Sequence, residues 1–264
     1  MIRELNHVGI QVADADRSIR FYTEILAGRV TSEAMIPATQ TRCVYLQIAG
    51  GLVEMLCRGN GTPPPKMGFT HVAFLVKNLD EAYKRLAAAG FEFSARPKPA
   101  GSGRGRLAFL SDPNGVRVEI IEREESLRIP RITGGGIRSF DHISLVADNL
   151  EAAERFYVDF MSLKPLKRMR IDARDLTMVY LNLGDDTIEL LHRSAPQKAA
   201  DLIGHIAFRV DSVDETAEYL RGKGVGIEPG SPKNAGSGLG RVCNFLDPDG
   251  VKIELVDRKD LREI

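Results

Sequence analysis

The stretch NHVGIQVADADRSIRFYTEIL at 6–26 returns as DHISLVADNLEAAERFYVDFM at 141–161, and this duplication constrains the fold more than any other feature of the chain. THVAFLVKNLDEAYKRLAAAG at 70–90 returns as GHIAFRVDSVDETAEYLRGKG at 204–224. RLAFLSDPNGVRVEIIER at 106–123 returns as RVCNFLDPDGVKIELVDR at 241–258. His7 and His142 are 135 positions apart, and His71 and His205 are 134 apart. The 264 residues therefore divide into a half at 1–128 and a half at 137–264, joined by a linker at 129–136 that carries Pro and Gly.

Each half is in turn two weaker copies of one unit. A unit opens with a short alternating strand containing His, continues through a helical stretch, and closes with three strands. The last strand holds a Glu, and the His-to-Glu intervals are 47, 48, 47 and 49. The pattern predicts an α+β chain of four βαβββ modules, with the turns DPNG (112–115) and DPDG (247–250) before the final strand of modules two and four.

Four of the five histidines thus occupy one place in four repeats, and a Glu stands in each closing apolar strand. Packing alone could keep a duplicated His. It does not account for the Glu, because a buried carboxylate without a counter-charge is costly. Strand alternation puts Val8, Ile10 and Val12 on one face and His7, Gly9 and Gln11 on the other. The bulky face is expected to meet the helices, which leaves His and its small neighbours around an open space. Two His and two Glu form a nitrogen and oxygen donor set suited to Fe, Mn, Ni, Co or Zn. Such a set leaves positions on an octahedral ion open for substrate, as a catalytic site requires.

Bulk composition narrows the partners. Lys plus Arg equals Asp plus Glu at 36 each, so no broad field favours nucleic acid or an anionic membrane. No apolar run approaches the ~18 residues of a membrane span. The opening residues lack the layout of a secretion signal. Cys43, Cys57 and Cys243 form no CxxC pair. The expectation is a cytoplasmic monomer or homodimer that acts on a small molecule.

With these residues in view, the chain resembles the vicinal oxygen chelate superfamily, which includes glyoxalase I, bleomycin-binding proteins and extradiol dioxygenases. The resemblance implies two curved mixed sheets, each a cup, with metal ligands on the first and fourth strands of every module. Carried over residue by residue, the ligands are His7, Glu54, His71 and Glu119, and again His142, Glu189, His205 and Glu254. It also implies a divalent-metal lyase, isomerase or epimerase that chelates adjacent substrate oxygens and proceeds through an enolate-like intermediate, with Glu54, Glu119, Glu189 and Glu254 as candidate proton carriers. The alternatives are an Fe(II) ring-cleaving dioxygenase, or a small-molecule-binding protein of the same fold.

Bacterial glyoxalase I carries an Arg four residues after its first His. Here that place is Gln11 in module one and Val146 in module three, and Arg209 holds it in module four. Gln11, Arg209, Tyr45 and Tyr180 are the candidate substrate-binding residues. Alternation also turns Gln47 and Asn182 toward the cups. An extradiol enzyme would show a Tyr and a His before the final Glu, where this chain has Asn244 and no His. Ligand sets are complete whether modules pair within a half or across halves. The Gly-rich linker favours pairing within a half. The stretches AGSGRGR (100–106) and AGSGLGR (235–241) read as connections or as flaps bringing Arg104, Arg106 or Arg241 to an acidic substrate. EREE at 122–125 reads as a solvated charge cluster, and His192 as structural.

Overall fold

The structure is a computed structural model that describes residues 2–59, 66–195 and 201–264. The first half contributes eight strands: β1 (Ile2–Gln11), β2 (Arg29–Ile36), β3 (Thr41–Ile48), β4 (Gly51–Arg58), β5 (Gly68–Val76), β6 (Phe93–Pro99), β7 (Arg106–Ser111) and β8 (Arg117–Glu122). They form one sheet in the order β2-β3-β4-β1-β5-β8-β7-β6. The second half repeats this with β9 (Ile137–Val146), β10 (Lys164–Ile171), β11 (Leu176–Leu183), β12 (Asp186–His192), β13 (Ile203–Val210), β14 (Lys233–Asn234), β15 (Arg241–Leu246) and β16 (Lys252–Val256). Their order is β10-β11-β12-β9-β13-β16-β15-β14. The α+β fold of four βαβββ modules is therefore present, each sheet is mixed, and each is built wholly from one half. No helix among the described residues is long and apolar enough to cross a membrane.

Short helices follow the first strand of each module: α1 (Ala15–Arg20), α2 (Leu79–Ala88), α3 (Leu150–Arg155) and α4 (Val213–Gly222). Each starts where Asp14, Asn78, Asn149 or Ser212 accepts a hydrogen bond from the backbone N–H three residues on. Such a cap satisfies an N–H that the first helical turn cannot. One turn of π-helix extends α1 (Phe21–Ile25) and another extends α3 (Phe156–Phe160). These turns bury Tyr22 and Tyr157 completely.

The helix-facing side of both sheets shares a single apolar core. Val8, Ile10, Val72 and Phe74 meet Ile206, Phe208, Ile253 and Phe245 in it. Phe21 lies 6.5 Å from Phe245 and Phe74 lies 6.3 Å from Tyr157, so the two halves pack through this face. Two reciprocal hydrogen bonds cross the same boundary. The Tyr22 hydroxyl donates to Asp247 at 2.9 Å, and the Tyr157 hydroxyl donates to Asp112 at 3.1 Å. Both carboxylates belong to the DPNG and DPDG turns, where Asp112 also accepts from Asn114 and Val116 and Asp247 from Asp249 and Val251. The linker is held as well, because Gln47 exchanges hydrogen bonds with the backbone of Ile129 at 2.8 and 2.9 Å.

Candidate metal centres

The two inner strand pairs of each sheet decide which residues meet. In the first half β1 runs parallel to β4 and antiparallel to β5, and β5 runs parallel to β8. Gly9 is the register partner of both Glu54 and His71, and Ala73 is the partner of both His7 and Glu119. A Cβ on Gly9 would stand 2.1 Å from His71 Cε1, so the imidazole occupies the space a side chain would take. In the second half Ser144 takes the place of Gly9 between Glu189 and His205. Its extra bulk is matched by Gly204 where the first half has Thr70.

All four candidate ligands of a half come together, so the grouping is within halves. In the first, His7 Nε2 lies 3.2 Å from His71 Nε2 and 3.6 Å from Glu54 Oε2. His71 Nε2 lies 3.4 Å from Glu54 Oε2 and 3.4 Å from Glu119 Oε2. In the second, His142 Nε2 lies 3.0 Å from His205 Nε2 and 3.4 Å from Glu189 Oε2. His205 Nε2 is 3.7 Å from Glu189 Oε2 and 3.6 Å from Glu254 Oε1. Donor atoms about 2.1 Å from a shared ion stand about 3.0 Å apart at right angles and about 3.4 Å apart in a tetrahedron. Five of the observed spacings fall in that range, and the other three, at 3.6 and 3.7 Å, lie just beyond it. Glu189 Oε2 is buried, faces both imidazoles and has no hydrogen-bond partner among the described residues. A buried carboxylate oxygen left in this way fits a site for a cation.

Neighbouring groups hold the donors in place. The Tyr45 hydroxyl donates to Glu54 Oε1 at 2.6 Å and the Tyr180 hydroxyl to Glu189 Oε1 at 2.5 Å, which leaves each Oε2 toward the histidines. The Cys43 thiol adds a second contact to Glu54 at 3.2 Å. The residue before each His is skipped in the strand pairing: Asn6 and Thr70 in the first half, Asp141 and Gly204 in the second. A bulge of this kind re-aims a side chain that strict alternation would send to the other face. Asn6 Oδ1 thereby meets His7 Nδ1 at 2.9 Å, Thr70 Oγ1 meets His71 Nδ1 at 2.8 Å and Asp141 Oδ1 meets His142 Nδ1 at 2.7 Å. A proton fixed on Nδ1 leaves the Nε2 lone pair for a ligand. Arg123 in turn donates to Asn6, and Arg258 donates to Asp141 at 2.5 Å.

The carboxylates of a pair are driven apart in pKa. Burial raises Glu119 to about 8 and Glu254 to about 7, with the nearby Glu54 and Glu189 charges adding to it. Burial also opposes charge on Glu54 and Glu189, yet the two histidines and the Tyr hydroxyl hold each well below the ordinary carboxylate range. The halves differ at the first His. Burial lowers His7, and it lowers His71 and His205 to about 3, whereas on His142 burial is overcome by Glu189 and Asp141, which hold it near 10.

Other expectations are corrected by the structure. Gln11 donates to the Leu56 carbonyl at 2.6 Å, a backbone acceptor that ties it to β4. Arg209 is engaged by Ser139 and by Asp260 at 2.8 Å and is not among the residues lining the second-half cavity. Gln47 pins the linker, and Asn182 turns back to the Gly184 carbonyl at 2.9 Å. Arg106 and Arg241 are paired to Asp80 and Asp214 at the starts of α2 and α4, so neither reaches over a cup. Within EREE, Arg123 is buried and part of the first centre's support. His192, by contrast, makes the structural contact expected of it, meeting the Ala147 carbonyl at 2.8 Å. Asn6, Asp141 and Arg258 were not foreseen. Their signal is positional: Asn6 and Asp141 directly precede the first His of each half, and Arg258 lies two residues past the last strand.

Access differs between the centres. The second opens into a cavity of about 250 Å³ reached by His142, Glu189, His205 and Glu254. The His205 and Glu254 side chains are 11% and 18% exposed, against 3% and 4% for His71 and Glu119. In the first half the Phe109 ring stands edge-on to His71 at 5.7 Å, and the Arg117 guanidinium covers Phe109 at 3.9 Å.

Comparison with known proteins agrees with this architecture. The chain is 25% identical to the Arabidopsis thaliana protein named lactoylglutathione lyase GLX1 over 277 residues, covering 99% of this chain and 94% of that one. Among solved structures, the Mn(II)-bound glyoxalase from Novosphingobium aromaticivorans superposes with a TM-score of 0.68 at 20% identity, covering 99% of this chain and 85% of that one. The 2,3-dioxygenase LapB from Pseudomonas sp. KL28 gives 0.69 at 17% identity, covering 96% and 91%. The profile of the glyoxalase/bleomycin resistance protein/dioxygenase superfamily matches residues 4–120 and 139–255, one match per half, and the chain belongs to that superfamily.

Proposed function

We propose that the chain is a divalent-metal lyase, isomerase or epimerase that moves a proton at a carbon beside a substrate carbonyl. The observation that carries this reading is the pair of facing imidazole nitrogens in each half with carboxylates from two different strands within 3.7 Å of them, one carboxylate kept anionic and the other poised near neutral pH. His142, His205, Glu189 and Glu254 would hold an ion in the second half, and His7, His71, Glu54 and Glu119 in the first. A bound divalent ion would supply Lewis acidity toward two adjacent substrate oxygens.

The chain's own residues divide the remaining work. Tyr180 and the imidazoles keep Glu189 ionised, so it stays a ligand and a counter-charge. Glu254 faces the cavity and exchanges its proton near pH 7, which suits it to take a proton from the substrate carbon and return it. The relative named lactoylglutathione lyase supports this class of chemistry. Ring cleavage is the weaker reading, because the cavity lining has Asn244 and no third His beside the ligands.

The test is solvent exchange. Protein loaded with Mn(II), Ni(II) or Zn(II) is incubated in D2O with lactoylglutathione and with simple 2-hydroxy and 2-oxo acids. Deuterium is expected at the carbon beside the carbonyl of at least one, and Glu254→Gln should slow its entry by about 100-fold or more. Oxygen uptake with catechols and no deuterium entry would overturn the reading.

A further inference from the structure

The two cups carry the same candidate ligands but different walls. Where the first has Phe109, the second has Asn244, and where the first has Thr39 beside its left-handed Gln40, the second has Arg174 beside its left-handed Asp175. Asn244 is 5% exposed and lines the second cavity, and its Oδ1 has no hydrogen-bond partner among the described residues. A buried acceptor left in this way calls for a donor that the protein itself does not supply.

The rim is cationic. Arg174, Lys233, Lys252 and Arg258 all line the cavity. Two of them are already matched, Arg258 to Asp141 and Lys252 to Glu228 at 3.3 Å. Arg174 and Lys233 form no ion pair among the described residues. Their charges exceed what Glu189 and Glu254 require once those carboxylates are engaged with a cation. The volume of about 250 Å³ lies below the ~300–1,000 Å³ that encloses drug-sized ligands, so the part of a substrate held here is small.

We infer that the second cup is built for a small dicarboxylic 2-oxo or 2-hydroxy acid. Its adjacent oxygens lie at the His/Glu centre, its second carboxylate is held by Arg174 with Lys233, and a substrate hydroxyl donates to Asn244 Oδ1. This rests on the metal-dependent reading above for the placement of the adjacent oxygens, while the anion subsite stands on the cavity wall itself. Arg is suited to the role because its planar fork can grip a carboxylate with two parallel hydrogen bonds. The first cup keeps a Lys, Lys98, at the place of Lys233 but has Thr39 and Phe109 where the second has Arg174 and Asn244, so it lacks the Arg and the amide.

The experiment compares two probes of equal chain length, 2-oxoglutarate and 2-oxopentanoate, by calorimetric titration of the full-length protein with and without Mn(II). Wild type should bind 2-oxoglutarate about tenfold or more tightly than 2-oxopentanoate. Arg174→Ala combined with Lys233→Ala should reduce that preference to about threefold or less with bound Mn(II) unchanged. Asn244→Ala should weaken 2-hydroxyglutarate about tenfold while 2-oxoglutarate, which has no hydroxyl to donate, changes less. No preference in wild type, or one that survives the double substitution, would overturn the inference. The Mn(II) content of the same samples reports separately on the metal-dependent reading: protein that takes up no ion yet keeps an Arg174-dependent preference would refute that reading alone.

Discussion

Asp141 accepts a hydrogen bond from His142 Nδ1 at 2.7 Å, whereas the equivalent Asn6 meets His7 Nδ1 at 2.9 Å. A carboxylate behind an imidazole makes its Nε2 a better donor to a metal than an amide does, and losing such a partner typically costs 10–100-fold in affinity. Asp141→Asn should therefore weaken metal binding by the second half about 10–100-fold and leave the first half unaffected. Chelator competition on Asp141→Asn placed in a His7→Ala background that silences the first half, against His7→Ala alone, measures this directly. Equal affinity with and without the substitution would contradict the assignment.

Metal uptake should strengthen as pH rises. At pH 7 the metal-free protein holds a proton on Glu119, whose pKa is raised to about 8, a proton on His142, held near 10, and a half-share on Glu254, near 7. Each must leave before the group can bind an ion, so binding releases protons and acid opposes it. Affinity should rise by about tenfold per pH unit between pH 6 and pH 7 at the first centre, where roughly one proton is displaced, and more steeply at the second, where His142 and Glu254 together release between one and two. Titration against a metal-sensitive dye at fixed pH values reads the slope. A flat profile would show that these protonated groups are not ligands.

The cross-half hydrogen bonds from Tyr22 to Asp247 and from Tyr157 to Asp112 bury both phenols against carboxylates. Tyr22→Phe or Tyr157→Phe removes a donor and leaves a charged acceptor with fewer partners, at a cost of about 1–3 kcal/mol each. Urea unfolding should show a lower midpoint with little change in slope. Since both phenols sit in the helix-facing core and touch none of the eight candidate ligands through a hydrogen bond, metal content should not change.

Much of this was legible in the sequence because duplication reveals what each copy shares. The repeated His and Glu, the DPNG and DPDG turns and strand parity together located eight converging residues. Parity failed where the strands bulge. Asn6, Thr70 and Asp141 sit one position before a histidine, and alternation assigns them to the opposite face. The skipped pairings turn them back toward the ring nitrogens. Arg123 was hidden for a different reason: in EREE it is surrounded by solvent-facing charge, and only the close approach of β1 shows that it reaches Asn6. Gln11 and Arg209 share the site's face on paper, yet local acceptors, the Leu56 carbonyl and the Asp260 carboxylate, claim them first.

Pairing within halves rather than across them was undetermined by spacing, since either choice completes two ligand sets. Strand order resolves the geometry: β4, β1, β5 and β8 are contiguous in one sheet, as are β12, β9, β13 and β16 in the other.

The central claim is that the two His/Glu clusters are metal centres, and metal stoichiometry tests it most directly. Protein purified without chelator, loaded with divalent ion and freed of excess should carry one ion per cluster, two per chain. His7→Ala and His142→Ala should each remove one, and the double variant, checked as folded by circular dichroism, should retain none. A folded double variant that keeps the wild-type metal content would contradict the account.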